Sequence, residues 1–443
     1  MNELFEHQKK AVELARQHDS FALFMETGTG KTRVAIELLK QRRLPSLIVC
    51  PLSIIESVWI EELQKWFPEA YTRNLWLSKK SGKNFDCQIG VINFESLSKL
   101  PDDFLQSRKF LIIDESSKIK SPTAKVTKFL VGNPSGSSCG WGNSIQHRLL
   151  LSGTPAPNSP LEYWSQMKLV NPNLLGDNFY KFRAIHFYAY GYGGYQWAIR
   201  KESKNKIIDL ISSQSYAVQK EDCLDLPDQI FESRKYEMLP EQKSIYINLK
   251  KENIAFIKTD AVLAQNELVK IMKLRQITAG FALINGQEKF ISNGKIDLLK
   301  ETIEEIGNHQ VIIWCQFHSE IERIKSILGD DAGLLYGDVS QADKEIAIKD
   351  FQMGRKKYLV AHPKSGGHGL TFVNCSYNIY FSLDYSFESE KQSQDRTHRI
   401  GQKNKVTYFY LLAKNSIDEI IYRALRRKER LSAILLGRLK SEL

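Results

Sequence analysis

Three residue groups in this 443-residue chain have the types and spacing for phosphate chemistry. The first is Met25-Glu26-Thr27-Gly28-Thr29-Gly30-Lys31-Thr32. An apolar run, Phe21 to Phe24, enters a glycine turn, and a stretch of helical composition follows. Such a strand–turn–helix points backbone N–H groups and a helix N-terminus at anionic oxygens. Thr27, Gly28, Thr29 and Gly30 would wrap a triphosphate, Lys31 would reach its β- and γ-phosphates, and Thr32 would hold Mg²⁺ through its hydroxyl. Met25 stands where the usual pattern begins with glycine.

Hydrolysis needs more than a cradle. A carboxylate must order Mg²⁺, and a second group must align water. Asp114 and Glu115 follow the apolar run Leu111-Ile-Ile113 and supply both, Asp114 on the metal side and Glu115 on the water side. The third group is Arg396 and Arg399, near the other end of the chain. A cation there would offset charge developing in the transition state. Their spacing of three predicts one helical turn with both on one face. If they come from a second lobe, hydrolysis depends on the lobes closing.

The elements that must position these groups are readable as short apolar runs between helices. Phe21–Phe24, Ser46–Cys50, Gln88–Ile92, Phe110–Ile113 and Arg148–Leu151 form one series of strands. Val311–Cys315, Tyr358–Ala361, Tyr377–Phe381 and Val406–Tyr410 form another. Continuous apolar strands between helices mark a parallel sheet covered on both faces. The expected fold class is therefore α/β, with two parallel-sheet lobes and helical insertions between them. The expected divisions are 1–170 for the triphosphate lobe, 171–306 for a helical protrusion and linker, and 307–443 for the second lobe. An aromatic cluster from Phe179 to Trp197 falls in the middle segment, with Gly191, Gly193 and Gly194 inside it. It reads either as packing of the protrusion or as a stacking element for nucleic acid.

Composition narrows the partners. Lys and Arg number 62 against 51 Asp and Glu, a net charge of +11 that permits a polyanion. From Arg396 to Arg430 there are ten basic residues and three acidic ones. The six cysteines are scattered with no zinc-type pair, so buried free thiols are expected. No apolar run approaches the roughly 20 residues of a membrane span, and the first residues lack a signal-peptide pattern. A cytoplasmic location without membrane contact follows as the expectation.

Taken in order, these segments resemble the Swi/Snf-type ATPases of helicase superfamily two. His7-Gln8 is similar to that family's adenine-reading pair, and Cys50-Pro51-Leu52-Ser53 with Trp59 to its first nucleic-acid segment. Asn93-Phe94-Glu95 resembles the next such segment. Asp114-Glu115-Ser116-Ser117 stands where the family has Asp-Glu-Ala-His. Ser152-Gly153-Thr154-Pro155 resembles the segment that couples the ATP site to lobe movement. Ser365 to Thr371 and the stretch from Gln392 to Gln402 resemble motifs of the second lobe, and Gly294-Lys295 the region between lobes.

The resemblance implies RecA-like lobes, ATP and Mg²⁺ as cofactors, and catalysis by Lys31, Asp114, Glu115, Arg396 and Arg399. It implies nucleotide contact by Gln8, coupling through Ser152, Thr154 and Gln392, and a backbone grip at Ser53, Asn93, Ser365, Gly366 and Thr371. The implied function is ATP-driven translocation along duplex DNA by a monomeric, compact prokaryotic or phage-like relative, remodelling or displacing bound proteins. A protein partner is left open. The alternatives are a strand-separating helicase on DNA or RNA, and a non-motor clamp with a vestigial ATP site. Three departures stand out: Ser116-Ser117, Thr371 for the commoner Asn, and Asp384-Tyr-Ser-Phe387.

Overall fold

Parallel strand pairing, with helices as the crossovers, organises both halves of the chain. The computed structural model describes residues 3–81, 85–190, 196–252, 263–284, 287–365 and 370–440. The chain divides into two units, Met1–Asp225 with Lys428–Leu443, and Leu226–Arg427.

The first unit carries β1 (Ser20–Met25), β2 (Ser46–Cys50), β3 (Thr72–Asn74), β4 (Ile89–Asn93), β5 (Phe110–Asp114), β6 (His147–Leu151), a hairpin of β7 (Phe187–Tyr190) and β8 (Gln196–Ile199), and β9 (Ser215–Val218). Seven of these make a parallel sheet in the order β3-β4-β2-β5-β6-β1-β9. All six residues of β1 are buried. Ala22 and Phe24 enter the core on one face, and Phe21, Leu23 and Met25 enter the core on the other. A strand buried on both faces needs no polar alternation, which is why it reads as a continuous apolar run.

The second unit carries β10 (Gln229–Tyr236), a hairpin of β11 (Phe281–Ile284) and β12 (Gln287–Phe290), β13 (Val311–Trp314), β14 (Ala332–Leu335), β15 (Tyr358–Ala361), β16 (Tyr377–Tyr380) and β17 (Val406–Ala413). Its six-stranded parallel sheet runs β10-β17-β16-β13-β15-β14. Ile312 and Trp314 enter one core while Val311 and Ile313 enter the other.

The expected middle segment, 171–306, is shared between the units. β9 adds to the first sheet beside β1, and β10 pairs with β17 over eight residues. Backbone pairing therefore draws residues up to 225 into one unit and those after it into the other. The long helices Pro240–Glu252 and Leu263–Ala279 belong to the second unit. Among the described residues no helix is long and apolar enough to cross a membrane. Four of the six cysteines are buried, while Cys139 is exposed and Cys223 half-buried.

Candidate active site

The C-terminal ends of β1, β5 and β6 deliver the chemistry-bearing residues of the first unit. After β1 the chain turns through Gly28 and Gly30, both at φ +89°. That left-handed conformation favours glycine, because a Cβ would clash with the backbone. Gly30 is constrained twice, since a Cβ there would lie 2.0 Å from Gln8 Nε2. Helix Lys31–Arg42 begins at once, so its first N–H groups face the turn. Lys31 Nζ donates to the carbonyls of Met25 (2.7 Å) and Glu26 (3.1 Å), which places the ammonium across the mouth of the loop. The loop is braced from behind: Thr29 Oγ1 donates to the Glu26 carbonyl at 2.7 Å, and the Lys220 amide donates to Glu26 Oε2 at 2.7 Å.

Gln8 lies in helix Glu6–Arg16 and is 5% exposed. Its Nε2 donates to the Thr29 carbonyl at 3.1 Å, and its Oε1 accepts from the Phe5 amide at 3.1 Å. His7 Nε2 lies 2.8 Å from the same Thr29 oxygen. The pair singled out in the sequence thus touches the glycine turn after β1 directly.

Asp114 closes β5 and is buried. Trp59 Nε1 donates to its Oδ2 at 2.9 Å, and the Glu115 amide donates to its Oδ1 at 3.0 Å. Burial pushes the Asp114 carboxyl above its ordinary range, while the Lys31 charge and these two donors pull it down. The Lys31 charge therefore acts on Asp114 within one site. Trp59 is fully buried on a single π-helical turn, Ile55–Ile60, a local widening of the helix that is frequent at functional sites. Glu115 itself adopts φ +57°, uncommon for a residue with a side chain. Strain of about 1–3 kcal/mol at such a position persists only where neighbours over-determine it.

Those neighbours include a relay that the sequence did not reveal. Ser116 Oγ donates to Gln166 Oε1 at 2.7 Å, and Gln166 Nε2 donates to the Pro155 carbonyl at 2.6 Å. Both side chains are wholly buried. The acid pair is thereby joined to the segment after β6. That segment also runs close to the glycine turn: a Cβ on Gly153 would stand 3.0 Å from both Thr27 N and Thr27 Oγ1. Ser152 Oγ accepts from the Thr154 amide at 3.1 Å, and the Ser152 amide donates to the Leu23 carbonyl. No periodicity or motif points to Gln166, which lies 50 residues from its partner.

In the second unit the arginine segment differs from expectation. Helix Phe387–Gln394 ends before it, so Arg396 and Arg399 do not share a helical face. The Gln394 carbonyl takes the Thr397 and His398 amides as well as Thr397 Oγ1, a local competition that ends the helix. Arg396 itself is buried: it is 7% exposed, lies 5.2 Å over the Trp314 ring, and donates from Nη2 to the Pro363 carbonyl at 3.0 Å. Burial lowers its pKa to about 10, so it is still a cation at neutral pH. Its buried Nη1 has no hydrogen-bond partner among the described residues. Burial also lowers the Arg399 pKa, opposed by Asp395. Gln392 lies half-buried on the preceding helix.

Of the residues expected to grip a backbone, Ser53 and Asn93 lie at or just after the ends of the paired strands β2 and β4 of the first unit, while Ser365 and Thr371 belong to the second. Ser53 is exposed in the turn Leu52–Ile54. Asn93 ends β4, is 4% exposed, and donates from Nδ2 to Glu95 at 2.7 Å, so its amide faces its own helix start. Ser365 and Thr371 are half-buried, and the Thr371 carbonyl accepts from Gln352 Nε2. Gly366 lies outside the described residues, as do Gly191, Gly193 and Gly194. Among the described residues no cluster of three His, Cys, Asp or Glu could hold a metal ion.

Residues 7–280 match the SNF2-related domain, well over half of the chain. The chain belongs to the SNF2-related family. Residues 294–401 match the helicase conserved C-terminal domain, so this SNF2-related chain carries ATPase domains of the helicase type. An ATP-dependent helicase of Mycoplasma genitalium is 28% identical over 97% of the chain, which covers 42% of that protein. Protein p41 of Acyrthosiphon pisum secondary endosymbiont phage 1 is 24% identical, with 93% of each covered. The mouse DNA annealing helicase and endonuclease ZRANB3 is 24% identical over 99% of the chain and 41% of its own length. The chain thus spans about two fifths of some relatives and nearly all of the phage one. Among solved structures, the Sulfolobus solfataricus SWI2/SNF2 ATPase core in complex with dsDNA is 26% identical with a TM-score of 0.45, covering 99% of this chain and 94% of that one.

Proposed function

We propose that this chain hydrolyses ATP with Mg²⁺ to move along double-stranded DNA, displacing proteins or structures bound to it. The observation that carries the reading is the convergence in the first unit. Lys31 spans the phosphate loop, its charge acts on the buried Asp114, and Gly153 runs so close to Thr27 that a side chain there would crowd it. One site thus contains the anion cradle, the acid pair and the segment proposed to sense them.

Thr32 and Asp114 fit Mg²⁺, which takes hard oxygen ligands and few protein ones. Asp114 is a buried carboxylate at a strand end, oriented by two donors. Bound there, the ion would neutralise charge on the phosphate oxygens. Lys31 would leave its loop carbonyls for the triphosphate. Glu115 would orient the attacking water, its position fixed by the Asp114 contact and the Ser116–Gln166 link. In this reading Arg396 and Arg399 take up transition-state charge. The unpaired Nη1 of Arg396 is a buried donor that an anionic oxygen would satisfy.

Grip on a phosphate backbone carries no sequence information, so affinity should fall steeply with salt and little with sequence. The test is the ATPase rate with duplex DNA, single-stranded DNA and RNA, paired with displacement of a triplex strand. Stimulation by duplex with triplex displacement is expected; stimulation by RNA alone overturns the reading. Lys31→Ala and Arg396→Ala should each abolish turnover while DNA binding persists. Wild-type turnover by Arg396→Ala would remove the arginine from the mechanism.

A further inference from the structure

The hairpin β7–β8 has a face that the proposed motor does not use. Its strands pair Phe187 with Ile199, Tyr188 with Ala198, Ala189 with Trp197, and Tyr190 with Gln196. Alternation sorts these into two faces. Phe187, Ile199 and Trp197 pack on the core of the first unit. Tyr188 and Tyr190 point the other way and are each 48% exposed, with ring centroids 6.3 Å apart. A two-stranded ribbon with one solvated face is expected to carry polar residues there. Here it carries two adjacent aromatic rings, with the small Ala198 opposite Tyr188.

The surrounding charge says what could cover them. From Asn178 to Lys201 the chain has no Asp or Glu, and it carries Lys181, Arg183, Arg200 and Lys201. Arg183 stacks 4.2 Å over the Trp197 ring on the core-facing side, which keeps a cation at the hairpin's edge. Exposed aromatics set in a carboxylate-free basic stretch complement a polyanion whose bases offer flat faces.

We propose that Tyr188 and Tyr190 form a stacking platform for unpaired bases of a nucleic-acid strand. The proposal rests on the nucleic-acid reading above and extends it from backbone grip to base contact. Stacking is indifferent to base identity, because every base has a π-face. It is also insensitive to salt, unlike phosphate neutralisation. The platform therefore prefers a single strand, or the splayed arm of a fork, over an intact duplex.

The test measures binding of the full chain to a fluorescent single strand, a forked duplex and a blunt duplex, each over a range of salt. Tyr188→Ala with Tyr190→Ala should weaken single-strand and fork binding about ten-fold or more. Blunt-duplex affinity, its salt dependence and duplex-stimulated ATPase should stay as in the wild type. Tyr188→Phe with Tyr190→Phe keeps both rings and should bind like the wild type. Unchanged affinity of the alanine pair for all three ligands would overturn the proposal and hand this face to a protein partner. An equal fall on all three would also overturn it, since base faces are hidden in blunt duplex. A wild-type chain that binds none of the three would sink the nucleic-acid reading itself.

Discussion

The indole N–H of Trp59 holds the carboxylate of Asp114 at 2.9 Å, across 55 residues of sequence. Trp59 belongs to the turn that begins just after Ser53, and Asp114 is the proposed metal-side acid. One side chain thus ties the segment read as a nucleic-acid contact to the acid pair. Trp59→Phe keeps a ring in the core and removes the donor. A hydrogen bond to a charged group is worth roughly 1.5–3 kcal/mol, so turnover at limiting Mg²⁺ should fall about ten-fold or more. Raising Mg²⁺ should recover part of the loss, and Mg²⁺-dependent binding of a fluorescent ADP analogue should weaken in parallel. Equal behaviour at every Mg²⁺ concentration would reduce the indole to a space-filler.

Gly30→Ala should abolish ATP binding. The new methyl meets Gln8 Nε2 at 2.0 Å in a backbone conformation that alanine disfavours. Relief requires moving Gln8 or untwisting the loop, and either disturbs the cradle. Titration with a fluorescent ATP analogue checks this directly; affinity near wild type would show that the loop tolerates a side chain.

Gln166→Leu removes the relay between Ser116 and the Pro155 carbonyl while conserving volume. Each partner left unsatisfied costs about 1–3 kcal/mol. The expected result splits two readouts: nucleotide affinity changes less than turnover, because the phosphate loop is untouched while the Glu115 turn loses its brace. Parallel loss of both would mean that Gln166 supports the fold alone.

Lys295→Met tests the buried pair in the second unit. Lys295 Nζ and Asp418 Oδ2 are 2.7 Å apart with side chains only 1% and 6% exposed. Thr278 Oγ1 and the Ala413 amide also donate to Asp418, so the carboxylate joins three parts of the chain. Removing the cation leaves an uncompensated buried charge, a loss of about 3–5 kcal/mol. Urea unfolding should show it, and adding Asp418→Leu should restore part. A single variant as stable as the wild type would show that water reaches the carboxylate.

What was legible in the sequence was local. The glycine turn, Asp114 and the nine strands read as apolar runs are each written in a few neighbouring residues, whereas short or half-exposed strands such as Thr72–Asn74 and Ala332–Leu335 are not. Trp59 was legible as a segment marker but not as a partner of Asp114, because a hydrogen bond across 55 residues leaves no periodic trace. Gln166 had no signal at all. β10 falls within a stretch of mostly helical composition, because Glu232, Ser233, Arg234 and Lys235 break up its apolar residues on a half-exposed edge and leave no continuous apolar run. The spacing of Arg396 and Arg399 points to a shared helical face, because composition cannot show that the helix stops at Gln394 or that Arg396 packs on Trp314 and donates to the Pro363 carbonyl.

β10 also sets an order of assembly. It is an edge strand whose neighbour in the sheet is β17, while the first sheet is complete once β9 ends at Val218. A chain emerging from the ribosome can close its first sheet early, whereas β10 stays unpaired until residue 413 has been added. At about 5–20 residues per second that delay is on the order of ten seconds. An open strand edge invites pairing with foreign chains, and charges along it discourage that. Glu232, Arg234 and Lys235 supply those charges, so the polarity that obscured β10 as a strand also guards it during synthesis.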